Sequence, residues 1–310
     1  MTPIFKIEVN GKDITAQLKK NSVSISFSDE DGNQSDEIVI KAAGDFTRPK
    51  YEDEIKLWLG YAESALFYCG LFRVQNTTKD KYSISINASG ANFSAELKQK
   101  RDTSYEKVSL KDVAQIVAER HSLKLKSDFD DMFVQHLRQT NESDLHMMKR
   151  LSNDYNAIFS IKNDTLIFLK RIKENKVSDA LPIFEIDASE CDGYPPIKRS
   201  NKTYYLSCMA SWHDTKENVV QSVTVGSGNP VLKIKGQYKS AAEATKKAEA
   251  KLQIANRGIK SGTLSTYGRE IYAGGMLKLT GVGEDDGEYT IKSVNHSLEG
   301  GWKMRVEIEN

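Results

Sequence analysis

The chain is poor in the residues that most often carry chemistry. It has three cysteines, Cys69, Cys191 and Cys208, in 310 residues. None forms a C-x-x-C pair and the number is odd, so neither a disulfide framework nor a zinc knuckle is expected; this usage fits reduced, cytosolic synthesis. Histidine is scarce too. His121, His136, His146, His213 and His296 include no i, i+4 pair and no H-E-x-x-H, which excludes a zincin. No run approaches the roughly 18 apolar residues of a membrane-spanning helix, so membrane insertion is not expected. The start, "MTPIFKIEVNGKDI", alternates like a strand, and no signal peptide is read there. Charge of one sign is also missing: 44 Lys and Arg face 43 Asp and Glu, a net +1. That balance argues against specific nucleic-acid binding or an anionic-membrane partner. No G-x-S-x-G, phosphate-cradling glycine loop or dinucleotide fingerprint occurs, so no cofactor is expected.

What is present is mostly strand. "FKIEVNGKDIT" puts Phe5, Ile7 and Val9 on one face and turns at Asn10-Gly11. Alternation returns through Val23, Ile25 and Phe27, then Ile38 and Ile40, and short strands follow about every ten residues. Near residue 100 the period changes. Ser109 caps a helix whose face is Leu110, Val113, Ala114 and Val117. A second helix follows, then two strands around Asn163-Asp164. Pro195-Pro196 interrupts a connector with one short strand. After it, Ser240 with Glu243 opens the clearest helix, with a stripe of Ala241, Ala244, Ala248, Leu252 and Ala255, and Gly258 ends it. The expected class is mainly β with an inserted α/β unit. The expected domains are a first barrel-like domain over 1–99, a small α/β domain over 100–172, a connector over 173–203, and a second barrel-like domain over 204–310 with a helix at 240–257.

Three stretches invite a chemical reading. "QTNESDLHMMKRL" gathers Glu142 and Asp144 as a conceivable acid and base, with His146 as a proton shuttle. Its spacing favours a helix start: Asn141 as cap, Asp144 in the first turn, Leu145, Met148, Leu151 and Tyr155 as one buried stripe, Glu142 and His146 on a wetter face. "DEDGNQSDE" alternates Asp29, Asp31 and Asn33 like a calcium loop. Gly32 stands at loop position four instead of six, and Ile40 takes the place of the bidentate acid, so an exposed hairpin turn is expected. His213-Asp214 ends a strand, where neighbours point to opposite faces and form no dyad. No catalytic, metal or cofactor residue is assigned. Trp58, Trp212 and Trp302 are read as core residues.

The order of several stretches resembles the late control protein D family, hub proteins of contractile phage tails related to the hubs of type VI secretion spikes. The pattern is Gln139, Glu142-Ser143-Asp144, Arg150-Leu151, Tyr155 to Phe159, and Leu166 to Phe168, with "GREIYAGGMLKLTGVGEDDGEYTIKSVNHSLEGGWKMRVEIE" similar to the family's closing strands. It runs from about residue 66 to the end and lacks any fused spike or lysozyme module. The resemblance implies a structural baseplate hub without enzymatic activity. It also implies a homotrimer whose six barrels form a pseudo-hexameric ring between a hexameric tail tube and a trimeric spike. Further partners would be other baseplate proteins, and the location the virion tail, after synthesis in the bacterial host cytoplasm. The competing classes are a peptidoglycan-degrading tail-tip enzyme, built on Glu142 and Asp144, and a glycan-binding module within 100–172.

Overall fold

The computed structural model describes residues 1–31, 35–90, 97–171, 183–200, 203–214 and 217–310. The first part runs β1 (Pro3–Val9), β2 (Lys12–Asp13), the single turn α1 (Thr15–Leu18), β3 (Val23–Glu30), β4 (Glu37–Ala43), β5 (Glu54–Tyr61), β6 (Phe67–Lys79) and β7 (Ser83–Ser89). Asn10 and Gly11 both adopt positive φ, +49° and +78°, which gives a two-residue hairpin the twist its strands need. Period-two alternation puts Ile7, Ile25, Ile38, Ile55 and Leu57 into one core, each 0–1% exposed.

The middle part runs β8 (Lys100–Ser109), α2 (Leu110–Arg120), β9 (Lys124–Ser127), β10 (Phe133–Ser143), α3 (Asp144–Tyr155), β11 (Ala157–Lys162) and β12 (Thr165–Lys170). Ser109 caps α2 as expected, and Asp112 completes a capping box. β8 and β10 form an antiparallel ribbon, while β11, β12 and β9 form a three-stranded sheet with β9 parallel to β12. Val113, Val117, Met147, Met148, Leu151, Leu166 and Phe168 close a separate core.

The last part runs β13 (Ile183–Asp187), β14 (Ile197–Arg199), β15 (Ser207–Asp214), β16 (Val219–Gly226), β17 (Val231–Tyr238), α4 (Ala241–Asn256), β18 (Lys260–Tyr267), β19 (Met276–Thr280), β20 (Gly287–Leu298) and β21 (Trp302–Glu309). The described residues of the connector thus hold two strands, and β13 pairs parallel with β19, a partner about ninety residues away that local patterning does not reveal. α4 begins at Ser240, whose hydroxyl accepts from Glu243 N at 3.2 Å. The Glu243 carboxylate accepts from Lys239 N instead of closing the box on Ser240. Of its predicted stripe, Ala244 and Ala248 are fully buried against β15–β17, and the rest is half-buried. The opposite flank meets α3: Lys247 lies 3.9 Å from the Tyr155 ring centroid and 3.0 Å from Asp154.

The two β stretches are not separate sheets. β20 pairs with β3, His296 opposite Phe27, so one sheet runs β14-β18-β21-β20-β3-β4-β7-β6-β5-β1-β2. Among the described residues this path is open at both ends, and no closed barrel forms. Its seam is aromatic. Trp302 is 5% exposed and stacks near Phe67 and Tyr61, and its Nε1 donates to His296 Nδ1 at 3.3 Å. Gly268 is required there, since a Cβ would lie 2.1 Å from the Trp302 ring. Trp58 and Trp212 are half-buried.

Candidate functional site

The "QTNESDLHMMKRL" stretch builds a site, though not the one its spacing predicts. β10 carries a bulge between Gln139 and Glu142, and Asn141 sits in it at φ +47°. This extends the strand to Ser143, and Ser143, not Asn141, caps α3: its hydroxyl accepts from His146 N at 3.2 Å. Glu142 therefore belongs to a strand and shares no helical face with His146. The buried stripe shifts as well. Met147, Met148, Leu151 and Tyr155 are buried, whereas Leu145 is half-buried and His146 exposed.

Asp144 is the first residue of α3 and has no solvent exposure. Arg120, the last residue of α2, donates Nη1 to both of its oxygens at 2.7 and 2.8 Å. Gln139 Nε2 donates at 2.9 Å, His121 Nε2 lies at 2.9 Å, and Arg101 Nε approaches to 3.4 Å. Burial alone would raise the Asp144 pKa, but the bonds from Arg120, Gln139 and His121 outweigh it and hold the carboxyl below the usual range. Gln139, also 0% exposed, donates its second hydrogen to Glu142 O at 2.9 Å and so fixes the bulge.

Glu142 has its own partner. Arg150 grips it through Nε at 3.0 Å and Nη2 at 2.7 Å, which holds Arg150 above its ordinary pKa. The two acids are thus claimed by different arginines, and neither is presented as a general acid or base. The sequence pattern Gln139, Glu142-Ser143-Asp144, Arg150-Leu151 is a mutual structural set: brace, clamp, cap, buried anion, counter-ion and core. Sequence reasoning missed Arg120, His121 and Arg101. The signal for Arg120 and His121 was only a basic pair closing a helix, which reads equally well as dipole complementation, and Arg101 is one basic residue of strand β8.

The "DEDGNQSDE" expectation is corrected as well. Asp29, Asp31 and Asp36 are not exposed; they are 3, 3 and 6% accessible. Lys162 at the end of β11 bonds Asp29 and lies 3.1 Å from Asp36, and Arg171 bonds Asp31 at 2.7 Å. The acids anchor the α/β unit to the β body. Gly32 and Asn33 lie outside the described residues. Among the described residues, no group of three or more His, Cys, Asp or Glu is placed to hold a metal. His213 and Asp214 are successive residues of β15, opposite Val220 and Val219. Cys69 and Cys191 are half-buried, Cys208 is buried, and all three are free.

A mainly β scaffold, with an α/β unit mounted on it by buried ion pairs, is the class that fold and site define. The family of phage tail baseplate hub (GPD) proteins matches residues 68–302. The chain belongs to that family, which bears out the late control protein D resemblance. A probable baseplate hub protein of Escherichia phage 186 is 23% identical over 363 aligned residues, covering all of this chain and 93% of that protein. The 43 kDa tail protein of prophage MuSo2 from Shewanella oneidensis superposes with a TM-score of 0.72 at 14% identity, over 99% of this chain and 98% of that one. An Escherichia coli component of the type VI secretion system does so at 0.57 and 10% identity, over 98% and 76%. The protein is a baseplate hub of the phage tail, a structural component of the virion.

Proposed function

We propose that this hub forms a trimeric, pseudo-hexameric ring that joins a hexameric tail tube to a trimeric spike. The observation that carries the reading is the sheet β16–β15–β17. It has β16 at one edge and β17 at the other, and neither outer edge is paired among the described residues. The eight residues of β16, "VVQSVTVG", include no charge, proline or other device that protects an edge. Different edges on opposite sides of one sheet suit a heterologous contact, which closes into a ring when the rotation matches. In this reading the protein is made in the host cytoplasm, binds other baseplate proteins, and has no enzymatic role.

Co-expression with the neighbouring tail genes, followed by mass measurement, tests the proposal. A three-subunit mass is expected, alone or with the spike. Val220→Lys with Thr224→Lys, both exposed on β16, should abolish that mass while leaving the monomer folded. A stable dimer, or a trimer unaffected by the pair, contradicts it.

A further inference from the structure

Between the β body and the α/β unit lies a cavity of about 260 Å³, walled largely by Phe27, Phe72, Ile158, Ile167 and Leu169. On one side of it two buried carboxylates share one bonded lysine. Asp29 Oδ2 accepts from Ala273 N at 2.7 Å and its other oxygen from Lys162. Asp36 Oδ1 accepts from Glu30 N at 3.0 Å and lies 3.1 Å from Lys162 Nζ. Asp29 and Asp36 belong to the β body and Lys162 to the β11–β12 hairpin, so the cluster is part of the joint itself. One ammonium cannot neutralise two anions, and apolar walls give the surplus charge little relief.

We propose that the Asp29–Lys162–Asp36 cluster is a proton-linked latch, seating the α/β unit firmly when it holds a proton and loosening it when that proton leaves. This inference is independent of the ring.

The surrounding charges are mostly matched or neutral, and among the described residues no second cation bonds Asp29 or Asp36. β3 adds Glu30, raised by burial, and Asp31 just after the strand is matched by Arg171. On the C-terminal side Glu270 is bonded by the Tyr272 hydroxyl, and Glu307 lies 3.6 Å from Lys292. β6 contributes Tyr68 and Cys69, each pushed up by burial and therefore neutral near pH 7. The α/β unit adds Lys126 to the cavity wall and Asp164 beside Arg73 at 3.8 Å. Burial would depress Lys162, but Asp29 and Asp36 reverse this and hold its ammonium charged. Burial pushes Asp36 up to about 7, against the pull of Lys162. A carboxyl raised in the folded state stabilises fully below its unfolded value and loses that stabilisation as pH rises through the folded one. The latch is therefore tight near pH 5 and loose above about 7. Other contacts hold at both values, notably Leu71 N to Asn163 Oδ1 at 2.8 Å, so the unit loosens without leaving.

Hydrogen exchange of the β11–β12 amides in the full chain, from pH 5.5 to 8 and corrected for intrinsic rates, tests this. Protection in the wild type should fall on the order of tenfold across that window. Asp36→Asn, whose amide oxygen can still accept from Glu30 N and Lys162, should remove the slope. An unchanged slope in Asp36→Asn, or flat protection in the wild type, overturns the proposal. If Asp36→Asn does not fold, carboxyl-carbon NMR of aspartate-labelled wild type decides: an aspartate titrating near neutrality is expected, and none doing so overturns the latch.

Discussion

Asp144→Ala isolates the physics of the "QTNESDLHMMKRL" site. Its effect follows from what the removed carboxylate leaves behind. Arg120 would lose both bonds of 2.7 and 2.8 Å, with its side chain only 25% exposed, and His121, 2% exposed, would lose its Nε2 partner. Gln139, fully buried, would keep only its bond to Glu142 O. A residue placed merely in a first helical turn is worth about 0.3–1 kcal/mol through the helix dipole. Removing one partner of a buried, hydrogen-bonded pair costs about 3–5 kcal/mol, because the stranded cation is the larger loss. The second figure governs here, and it corresponds to a fall in Tm of about 10 °C for a domain of ordinary size. Urea denaturation followed through the α/β unit, at pH 7 and low salt, measures it. The depressed Asp144 pKa adds a signature. Its stabilisation is present above the ordinary carboxylate range and is lost as pH falls through the lower folded value, so the variant should lose part of the wild type's acid limb. Glu142→Gln breaks a pair whose Arg150 is 38% exposed and should cost at most about 1 kcal/mol. A loss below 1 kcal/mol for Asp144→Ala, or equal losses for the two acids, would refute the reasoning.

Along α3, Ser143→Ala should cost about 1 kcal/mol as the true cap. Leu151→Ala, 1% exposed, should cost about 2–5 kcal/mol; half-buried Leu145→Ala should cost less, and exposed His146→Ala should stay within about 0.5 kcal/mol. Denaturation midpoints rank all four, and a dominant His146 would sink the assignment. At the sheet seam, burial depresses His296 to about 3, so the unfolded chain takes up a proton more readily and stability falls as pH drops below about 6.5. His296→Phe should flatten that decline in a pH series of thermal melts, leaving the opposite trend of Asp36 visible between pH 8 and 5.

Local rules made the hairpins and the helices legible because their determinants are neighbours in sequence. Asn10-Gly11 and Asn163-Asp164 supply paired positive φ values, and Ser109 and Ser240 cap the helices they precede. Non-local pairings were not legible. Nothing near Phe27 announces His296 as its strand partner, yet that register merges the two β stretches into one sheet. The α3 cap was misplaced by two residues because Asn141 and Ser143 are both good caps by type, and only the bulge, pinned by buried Gln139, decides between them. The acids of "DEDGNQSDE" look exposed in the sequence because polarity says nothing of a lysine more than a hundred residues away.

That last failure has a general cause in this chain. Near-neutral net charge suggests a surface of mixed, solvated ions, and at three joints the acids and bases are instead spent on each other. Lys162 and Arg171 tie the α/β unit to β3 and the segment before β4; Arg120 ties α2 to α3; Lys247 and Lys251 tie α4 to Asp154 of α3. The first and last of these ties join elements that have separate apolar cores, whereas the Arg120 tie lies inside the one core shared by α2 and α3. Apolar burial holds each element together and is indifferent to small shifts between them, whereas a bidentate or shared ion pair has one good geometry. Breaking such a tie should therefore alter how the units sit before it unfolds either one, which distinguishes these charges from the leucines of α3.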